Sequence, residues 1–93
     1  MYNQDLKKLS FHILIIDDDQ KIRQLLKKFL ENNSFRVSDA ENTQQAKKIM
    51  ETLIFDLLVI DIMMPGQNGL EFLKEIRQTN SIPTLMLTAM SNP

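Results

Sequence analysis

Two short apolar runs constrain the fold of this chain most strongly. The first covers residues 13–16 and the second covers residues 57–60. Each run is too short for a buried helix, and both contain β-branched residues. Continuous apolar runs of this length are typical of parallel strands that helices cover on both faces. The sequence therefore predicts two buried parallel strands.

Aspartates follow both runs directly. Asp17, Asp18 and Asp19 come after the first run, and Asp61 comes after the second. In open α/β sheets, ligands bind beyond the carboxyl ends of the strands, so two adjacent strands would bring these carboxylates together. Such a cluster repels itself unless a divalent cation neutralises it, and Mg²⁺ prefers carboxylate oxygens. The sequence therefore predicts a magnesium site.

The rest of the chain alternates between helix and strand patterns. Asp19 is a candidate N-cap for the first helix, and Asn42 or Thr43 for the second. The apolar positions that we expect to face the core are Ile22, Leu25, Leu26, Phe29 and Leu30 in the first helix, Ala46, Ile49, Met50 and Leu53 in the second, and Leu70, Leu73 and Ile76 in the third. The basic residues of the first helix, Lys21, Arg23, Lys27 and Lys28, are expected to face water. This alternation predicts βαβ units and a parallel sheet.

Two further strands complete this pattern. Residues 35–40 alternate between apolar and polar side chains, as an edge strand does, and residues 82–87 form the predicted fourth strand. The third strand is expected over residues 56–60, with Asp56 facing solvent.

The lone His12 beside the first strand has no histidine or carboxylate near it in sequence. We therefore expect no catalytic role for it.

Composition excludes several classes of protein. The chain has 93 residues, of which 43% are apolar and 25% are charged, and this size suits one small globular domain. Eleven basic and twelve acidic residues give a net charge of −1, so we expect no nucleic-acid binding by this chain. No apolar stretch is long enough to span a membrane. The absence of cysteine excludes disulfides and thiolate zinc sites. It is compatible with the cytoplasm, where we expect this protein to act.

Three motifs resemble the receiver domains of bacterial response regulators in two-component signalling. They are the first strand with its acidic pair at residues 13–18, the loop Asp-Ile-Met-Met-Pro-Gly-Gln-Asn-Gly-Leu at residues 61–70, and Leu-Met-Leu-Thr-Ala at residues 85–89. They occur in the family's order, and the resemblance covers residues 13–90. The segment Met-Met-Pro-Gly at residues 63–66 also resembles the corresponding loop of OmpR-type transcription regulators, which carry a winged-helix DNA-binding domain.

The resemblance implies a fold, a reaction and a set of site residues. The fold is a flavodoxin-like (CheY-like) doubly wound α/β sheet with strand order 2-1-3-4. The implied reaction is acceptance of a phosphoryl group on Asp61 from a sensor histidine kinase. Mg²⁺ would be bound directly by Asp18, through water by Asp17, by Asp61 and by the backbone carbonyl of Met63. Thr88 would donate a hydrogen bond to the phosphoryl oxygen.

The chain also departs from the family pattern. The family fold continues after the fourth strand with a helix, a fifth strand and a last helix, whereas this chain stops at Pro93. We expect an N-terminal tail over residues 1–12 and an incomplete receiver domain over residues 13–93. The family's lysine after the fifth strand and its aromatic switch residue would then be missing, and any DNA binding would belong to an absent output domain.

An incomplete domain is expected to associate with itself. The edge of the fourth strand would present unpaired backbone groups, and such edges recruit other strands. The apolar face beside Ile22, Leu25 and Phe29 would form a patch that soluble monomers avoid. We therefore predict a chain that is either marginally stable or self-associated, as a dimer formed by edge pairing or by exchange of elements between copies.

Two alternative functions stay open. Asp17-x-Asp19 superficially fits the nucleophile motif of haloacid-dehalogenase phosphatases, but this chain has Lys21 where that motif has threonine or valine. That reading also leaves the loop after Asp61 unexplained. The other alternative is a binding or decoy module that never cycles phosphate. The receiver-domain reading predicts a phosphoacceptor signalling domain that is not an enzyme acting on an external substrate.

Overall fold

The computed structural model describes residues 11–87 of the chain. Its elements, in chain order, are β1 (His12–Ile16), α1 (Gln20–Asn32), β2 (Arg36–Ala40), α2 (Thr43–Thr52), β3 (Leu57–Asp61), α3 (Gly69–Ile76) and β4 (Thr84–Leu87). Most of the predicted N-terminal tail lies outside the described residues. Thr88 lies outside them as well. The boundary between tail and domain therefore stays a prediction.

The four strands form one parallel sheet in the order β2-β1-β3-β4. Alternate residues of β1 point to opposite faces of this sheet. Ile13 and Ile15 pack with residues of α1, whereas Leu14 and Ile16 pack with residues of α2 and α3. All four side chains are at most 2% exposed. The predicted doubly wound α/β fold and its strand order are confirmed.

The first helix covers the sheet less completely than its apolar pattern predicted. Leu26 and Leu30 pack against the core, but Ile22, Leu25 and Phe29 are 45%, 69% and 62% exposed. The reason is that α1 lies over β2 and β1, so its side toward β4 is left uncovered by the described residues. The apolar face of α1 is therefore buried only through Leu26 and Leu30, and the exposed apolar patch predicted at Ile22, Leu25 and Phe29 is present.

One basic residue of α1 does not face water. Arg23 is only 9% exposed, and its Nε atom lies 2.7 Å from Oδ2 of Asp39 at the end of β2. Lys27 contacts the same carboxylate, with 3.2 Å between Nζ and Oδ1. The expected solvated position is therefore wrong for Arg23, because the half-buried carboxylate of Asp39 compensates its charge.

In α2 and α3, too, some residues are buried or exposed contrary to the sequence-based prediction. In α2, Ala46 is buried as predicted, but Leu53 follows the helix as its C-cap and is 41% exposed. In α3, Phe72 is fully buried, whereas Leu70 is 49% exposed although it was expected in the core. The buried face of this helix runs through Gly69, Phe72 and Ile76, which are three or four residues apart, so Leu70 lies away from the sheet.

Strand boundaries differ from the prediction by one or two residues. β2 begins at Arg36, because the N–H of Phe35 donates to a carbonyl in the last turn of α1. β4 begins at Thr84 rather than residue 82, since Pro83 has no N–H to donate to a neighbouring strand. β3 starts one residue later than predicted and includes Asp61.

His12 joins the first three strands at the end of the sheet opposite the aspartates. Its Nδ1 accepts from Arg36 at 3.2 Å, and its Nε2 lies 2.8 Å from the hydroxyl of Ser38. Its backbone N–H donates to Asp56 at 2.8 Å, and its ring packs 4.4 Å from that of Phe55. Burial and the Arg36 charge lower the pKa of His12, although Asp56 opposes this shift. His12 is therefore a packing residue, and its lowered pKa favours the neutral form.

We predict very different effects for two neighbouring substitutions in α3. Phe72→Ala should lower the free energy of unfolding by about 3–5 kcal/mol, because it empties a fully buried site. Leu70→Ala should change it by about 0.5 kcal/mol or less, as at other surface positions. Urea denaturation followed by circular dichroism measures both. Equal losses for the two variants would contradict the packing described for α3.

Candidate functional site

Three carboxylates meet at the carboxyl ends of β1 and β3. Ligand atoms from Asp17, Asp18 and Asp61 all lie within 4.8 Å of one another. The strands bring them there because Ile16 and Ile60 are register partners, so the next residue of each strand lies at the same edge. Asp17 is buried, Asp18 is exposed and Asp61 lies between these extremes. The aspartates that the sequence placed at one edge of the sheet are adjacent.

Asp17 is held by its own backbone and side chain. Its N–H donates to the carbonyl of Ala40 at 3.1 Å, which extends the pairing of β1 with β2. Its Oδ1 accepts from the N–H of Asp19 at 2.8 Å, and its carbonyl accepts from Arg23 at 2.9 Å. The residue is only 3% exposed. Asp17 therefore has little freedom to move away from its neighbours.

Asp19 has a different role from the other aspartates. Its Oδ1 accepts hydrogen bonds from the N–H groups of Lys21 and Ile22, at 2.9 and 3.2 Å. These contacts make it the N-cap of α1, as predicted. Its carboxylate is thereby engaged with the start of the helix, outside the group of three that could hold a metal ion.

Asp61 is the last residue of β3 and carries the perturbed carboxyl group of the site. Burial raises its pKa, and the charges of Asp17 and Asp18 raise it further. A hydrogen bond of 3.0 Å from the N–H of Met63 to Oδ1 opposes this shift but does not reverse it. The ionised form of Asp61 is therefore held in an unfavourable environment that a cation would relieve.

The loop after Asp61 is folded tightly against the end of the strand. The N–H groups of Met64 and Gly69 both donate to the carbonyl of Ile62, at 3.2 and 3.1 Å. A Cβ atom on Gly69 would lie only 2.5 Å from the backbone oxygen of Asp61. A side chain at this position would clash with the strand. Glycine is therefore required where α3 begins.

Met63 and Met64 occupy opposite environments in this loop. The side chain of Met64 is 8% exposed and belongs to the core, whereas that of Met63 is 66% exposed. Met63 and Asp18 line one cavity beside the acidic cluster. The predicted metal ligand at Met63 is its backbone carbonyl, so exposure of its side chain does not conflict with that role.

Thr88 lies outside the described residues, so its predicted contact with a phosphoryl group stays a prediction. The residue before it, Leu87, pairs in register with Asp61. Leu87 also lines a cavity of about 570 Å³ together with Ile22, Leu26 and the aspartates. The end of β4 therefore reaches the same edge of the sheet as the acidic cluster.

A second charged group, which was not predicted from the sequence, lies beside the site. Asp39 accepts hydrogen bonds from Arg23 and Lys27. Burial alone would raise the pKa of Asp39, but these hydrogen bonds and positive charges outweigh it and hold the pKa below its usual range. An acidic residue at the end of a predicted strand was the available signal, but its partners lie on another element.

The donor set fits a hard divalent cation. All three clustered side chains offer carboxylate oxygens, and the pKa of Asp61 is raised by burial and by the like charges of its two neighbours. Mg²⁺ and Ca²⁺ take oxygen ligands of this kind. Within residues 11–87, the acidic cluster contains neither histidine nor cysteine, which softer metals prefer.

We predict that Gly69→Ala displaces the loop and destabilises the fold. The new methyl group needs space now occupied by the Asp61 carbonyl, and overpacking of this kind costs about 1–3 kcal/mol. Gly66→Asn is the matched control, because Gly66 has a φ of 77° but open space around it, and asparagine tolerates that conformation. Thermal melting compares them. A control that loses as much stability as Gly69→Ala would contradict the steric explanation.

We predict that Asp61→Asn stabilises the metal-free protein near neutral pH. Since the folded state raises the pKa of Asp61, ionisation of this group opposes folding; the penalty is complete above the raised pKa and vanishes only below the pKa of the unfolded chain. The melting temperature should therefore rise by a few degrees at pH 7 and change less at pH 4. Glu51→Gln removes one charge from the exposed surface of α2 and serves as the control. An unchanged melting temperature for Asp61→Asn would contradict the electrostatic strain.

Comparison with known proteins agrees with this geometry. The family model for the response regulator receiver domain matches residues 13–93. The chain is 46% identical over 77 residues to the transcriptional regulatory protein CpxR of Escherichia coli (strain K12) and 44% identical over 78 residues to the protein PetR of Rhodobacter capsulatus. These matches cover 83% and 84% of this chain but 33% of each relative. The chain therefore spans about a third of the length of these curated relatives.

Solved structures give the same result. The response regulator protein TrrA of Thermotoga maritima, solved in complex with Mg²⁺-BeF, superposes with a TM-score of 0.80 at 39% identity over 87% of this chain and 71% of that chain. In this chain, none of the helices within residues 11–87 is long and apolar enough to cross a membrane. The sheet order, the acidic edge and the family match lead to one conclusion: the chain belongs to the response regulator receiver domains of two-component systems.

Proposed function

We propose that this chain accepts a phosphoryl group on Asp61 from a sensor histidine kinase, with Mg²⁺ bound by Asp17, Asp18, Asp61 and the backbone carbonyl of Met63. The observation that carries the proposal is the convergence of three carboxylates within 4.8 Å at the ends of two adjacent strands. A structural role alone does not explain this arrangement, because like charges at this distance destabilise the fold.

A bound metal ion would supply positive charge to a cluster formed by carboxylates. Mg²⁺ would neutralise the carboxylates and the charge that develops on the phosphoryl oxygens. The raised pKa of Asp61 supports this assignment, since it reflects burial and two neighbouring negative charges. The solved relative that contains Mg²⁺-BeF supports it as well.

Asp61 is suited to act as the nucleophile. The N–H of Met63 binds Oδ1, so the carboxylate is held in one orientation. In the proposed transfer, a carboxylate oxygen of Asp61 forms a bond to phosphorus while the bond from phosphorus to the kinase imidazole breaks, and the imidazole leaves. Positioning and charge neutralisation dominate reactions of this class, because the transition state is loose. Thr88, which follows β4, is proposed to donate a hydrogen bond to the phosphoryl oxygen.

The phosphatase alternative is weakened by the position of Asp19. That mechanism would need Asp19 as a partner of Asp17 in catalysis, but the carboxylate of Asp19 caps α1. We therefore propose a signalling domain with self-catalysed phosphorylation and dephosphorylation rather than an enzyme acting on an external substrate.

The output of this domain is proposed from its relatives. One is named a transcriptional regulatory protein, and this chain spans about a third of its length. We propose that the receiver controls a DNA-binding output domain of the OmpR type in the cytoplasm. This chain carries a net charge of −1, so DNA contacts are assigned to that output domain.

We predict that acetyl phosphate and Mg²⁺ label this chain on Asp61. Mass spectrometry of the intact and digested protein should find one added phosphoryl group at that residue, and chelation of Mg²⁺ should remove most of the labelling. Asp61→Asn should abolish labelling while it keeps the fold, because an amide is not a nucleophile at this position.

Two outcomes of this experiment would reject the proposal. Turnover of the phosphodonor with an adduct on Asp17 would favour the phosphatase alternative. A folded protein that binds no phosphoryl group under any of these conditions would favour the binding or decoy module. Asp56→Asn, at the opposite end of the sheet, is the control for substitution of an aspartate outside the acidic cluster.

We also propose that this 93-residue chain associates with a second copy of itself. On α1, Ile22, Leu25 and Phe29 present a continuous apolar strip, since they are three or four residues apart. Leu85 of β4 is 57% exposed, and among the described strands β4 pairs only with β3. A second copy can cover both surfaces by pairing along β4 or by exchange of elements.

We predict that light scattering finds a dimer or larger species at high protein concentration. Phe29→Glu should shift the protein toward monomer, because it places a charge in the apolar strip. Lys28→Glu, at the adjacent exposed position of α1, is the matched control and should not dissociate the assembly. A monomer that melts cooperatively at every concentration would reject self-association.

A further inference from the structure

We propose that Arg23 is a positioning residue for the acidic site, because its guanidinium connects Asp39 to the backbone carbonyl of Asp17 and thereby sets the direction of Asp18. Arg23 touches neither the reacting carboxylate nor, by this proposal, the metal ion. The inference rests on the proposed Mg²⁺ site and identifies a residue outside it on which its geometry depends.

The contacts of Arg23 are made by two different nitrogens. Its Nε donates to Oδ2 of Asp39 at 2.7 Å, and its Nη1 donates to the carbonyl of Asp17 at 2.9 Å. The guanidinium is planar and rigid, so two simultaneous contacts fix its orientation. The residue is 9% exposed, and its hydrogen bond to Asp17 is buried whereas that to Asp39 is partly buried, so water competes little for either.

The carbonyl that Arg23 binds belongs to the peptide group between Asp17 and Asp18. This group is planar, so holding its oxygen also fixes the N–H of Asp18 and the direction in which the chain continues. The N–H of Asp17 is held at the same time by Ala40 of β2. Both backbone groups of Asp17 are thus restrained. This restraint also limits the position of the exposed Asp18, which follows it in the chain.

Asp39 provides a fixed anchor for this arrangement. Its other oxygen accepts from Nζ of Lys27 at 3.2 Å, and Gln24 lies within 3.4 Å of the oxygen that binds Arg23. Asp39 is the penultimate residue of β2 and pairs in register with Ile15 of β1. The anchor is therefore part of the sheet, and Arg23 transmits its position to the loop that carries Asp17 and Asp18.

A purely electrostatic role for Arg23 predicts the opposite experimental result. A cation close to a metal site repels Mg²⁺, so removal of its charge alone would tighten Mg²⁺ binding. Loss of a positioning contact would weaken binding, since ligands that are less well held must be ordered when the metal binds. The direction of the change in Mg²⁺ affinity therefore distinguishes the two roles.

The test is an Mg²⁺ titration of this chain by isothermal calorimetry, at a temperature where circular dichroism shows each variant folded. Arg23→Met should raise the Mg²⁺ Kd about tenfold or more, as expected for loss of a partner that orients a metal ligand. Arg23→Lys should also raise it, because a single ammonium group cannot reproduce the planar two-nitrogen contact.

The matched control is Lys47→Met, which also removes one positive charge and one ion pair. Lys47 binds Glu75 at 2.8 Å between α2 and α3, and it contacts none of the three clustered aspartates. We expect its Mg²⁺ Kd to equal that of the parent chain. If Arg23→Met fails to fold, Arg23→Lys alone decides the question, since it keeps the charge and one contact with Asp39.

Two negative results have different meanings. A parent chain that binds Mg²⁺ and Arg23 variants that bind it equally well or more tightly would overturn the positioning role and leave the proposed function intact. A parent chain that binds no Mg²⁺ would overturn the proposed function, and the role of Arg23 with it.

Discussion

Repulsion among carboxylates at the ends of β1 and β3 is the constraint on which the rest of this structure depends. Asp17, Asp18 and Asp61 are brought within 4.8 Å by the pairing of two strands whose side chains are almost completely buried. Burial of each large aliphatic side chain contributes about 1.5–3 kcal/mol. The hydrophobic core thus holds together charges that would otherwise separate, and the site keeps the unfavourable energy that a cation can release.

Much of this arrangement was predictable because it depends on order along the chain. Continuous apolar runs identified β1 and β3, and the aspartates directly after them identified the acidic edge. Two features needed the folded structure. The apolar residues of α3 form more than one possible inward stripe, and only the packing of Gly69, Phe72 and Ile76 against the sheet shows which one is buried. Arg23 and Asp39 are 16 residues apart and meet only because β2 lies beside β1.

The helices support the site to different degrees. The core between the sheet and α2 and α3 includes Phe72 and Ile76, and α3 begins in direct contact with the end of β3. The opposite face is covered mainly by Leu26 and Leu30 of α1, whose other apolar side chains remain exposed. The acidic edge therefore lies between one well-packed layer and one that further protein surface can complete. This difference would link the proposed chemistry at the edge to the proposed association at the exposed face.

The one-to-one register of β1 with β3 has a consequence for folding. A slip by one residue would carry Asp61 about 3.3 Å along the sheet and turn its side chain to the opposite face. Mispaired chains would then lack the convergent carboxylates, whereas correctly paired chains would have them. A ligand that binds only one arrangement increases its population by mass action. The divalent ion proposed for signalling would thereby also favour the correct register of β1 with β3 over mispaired registers.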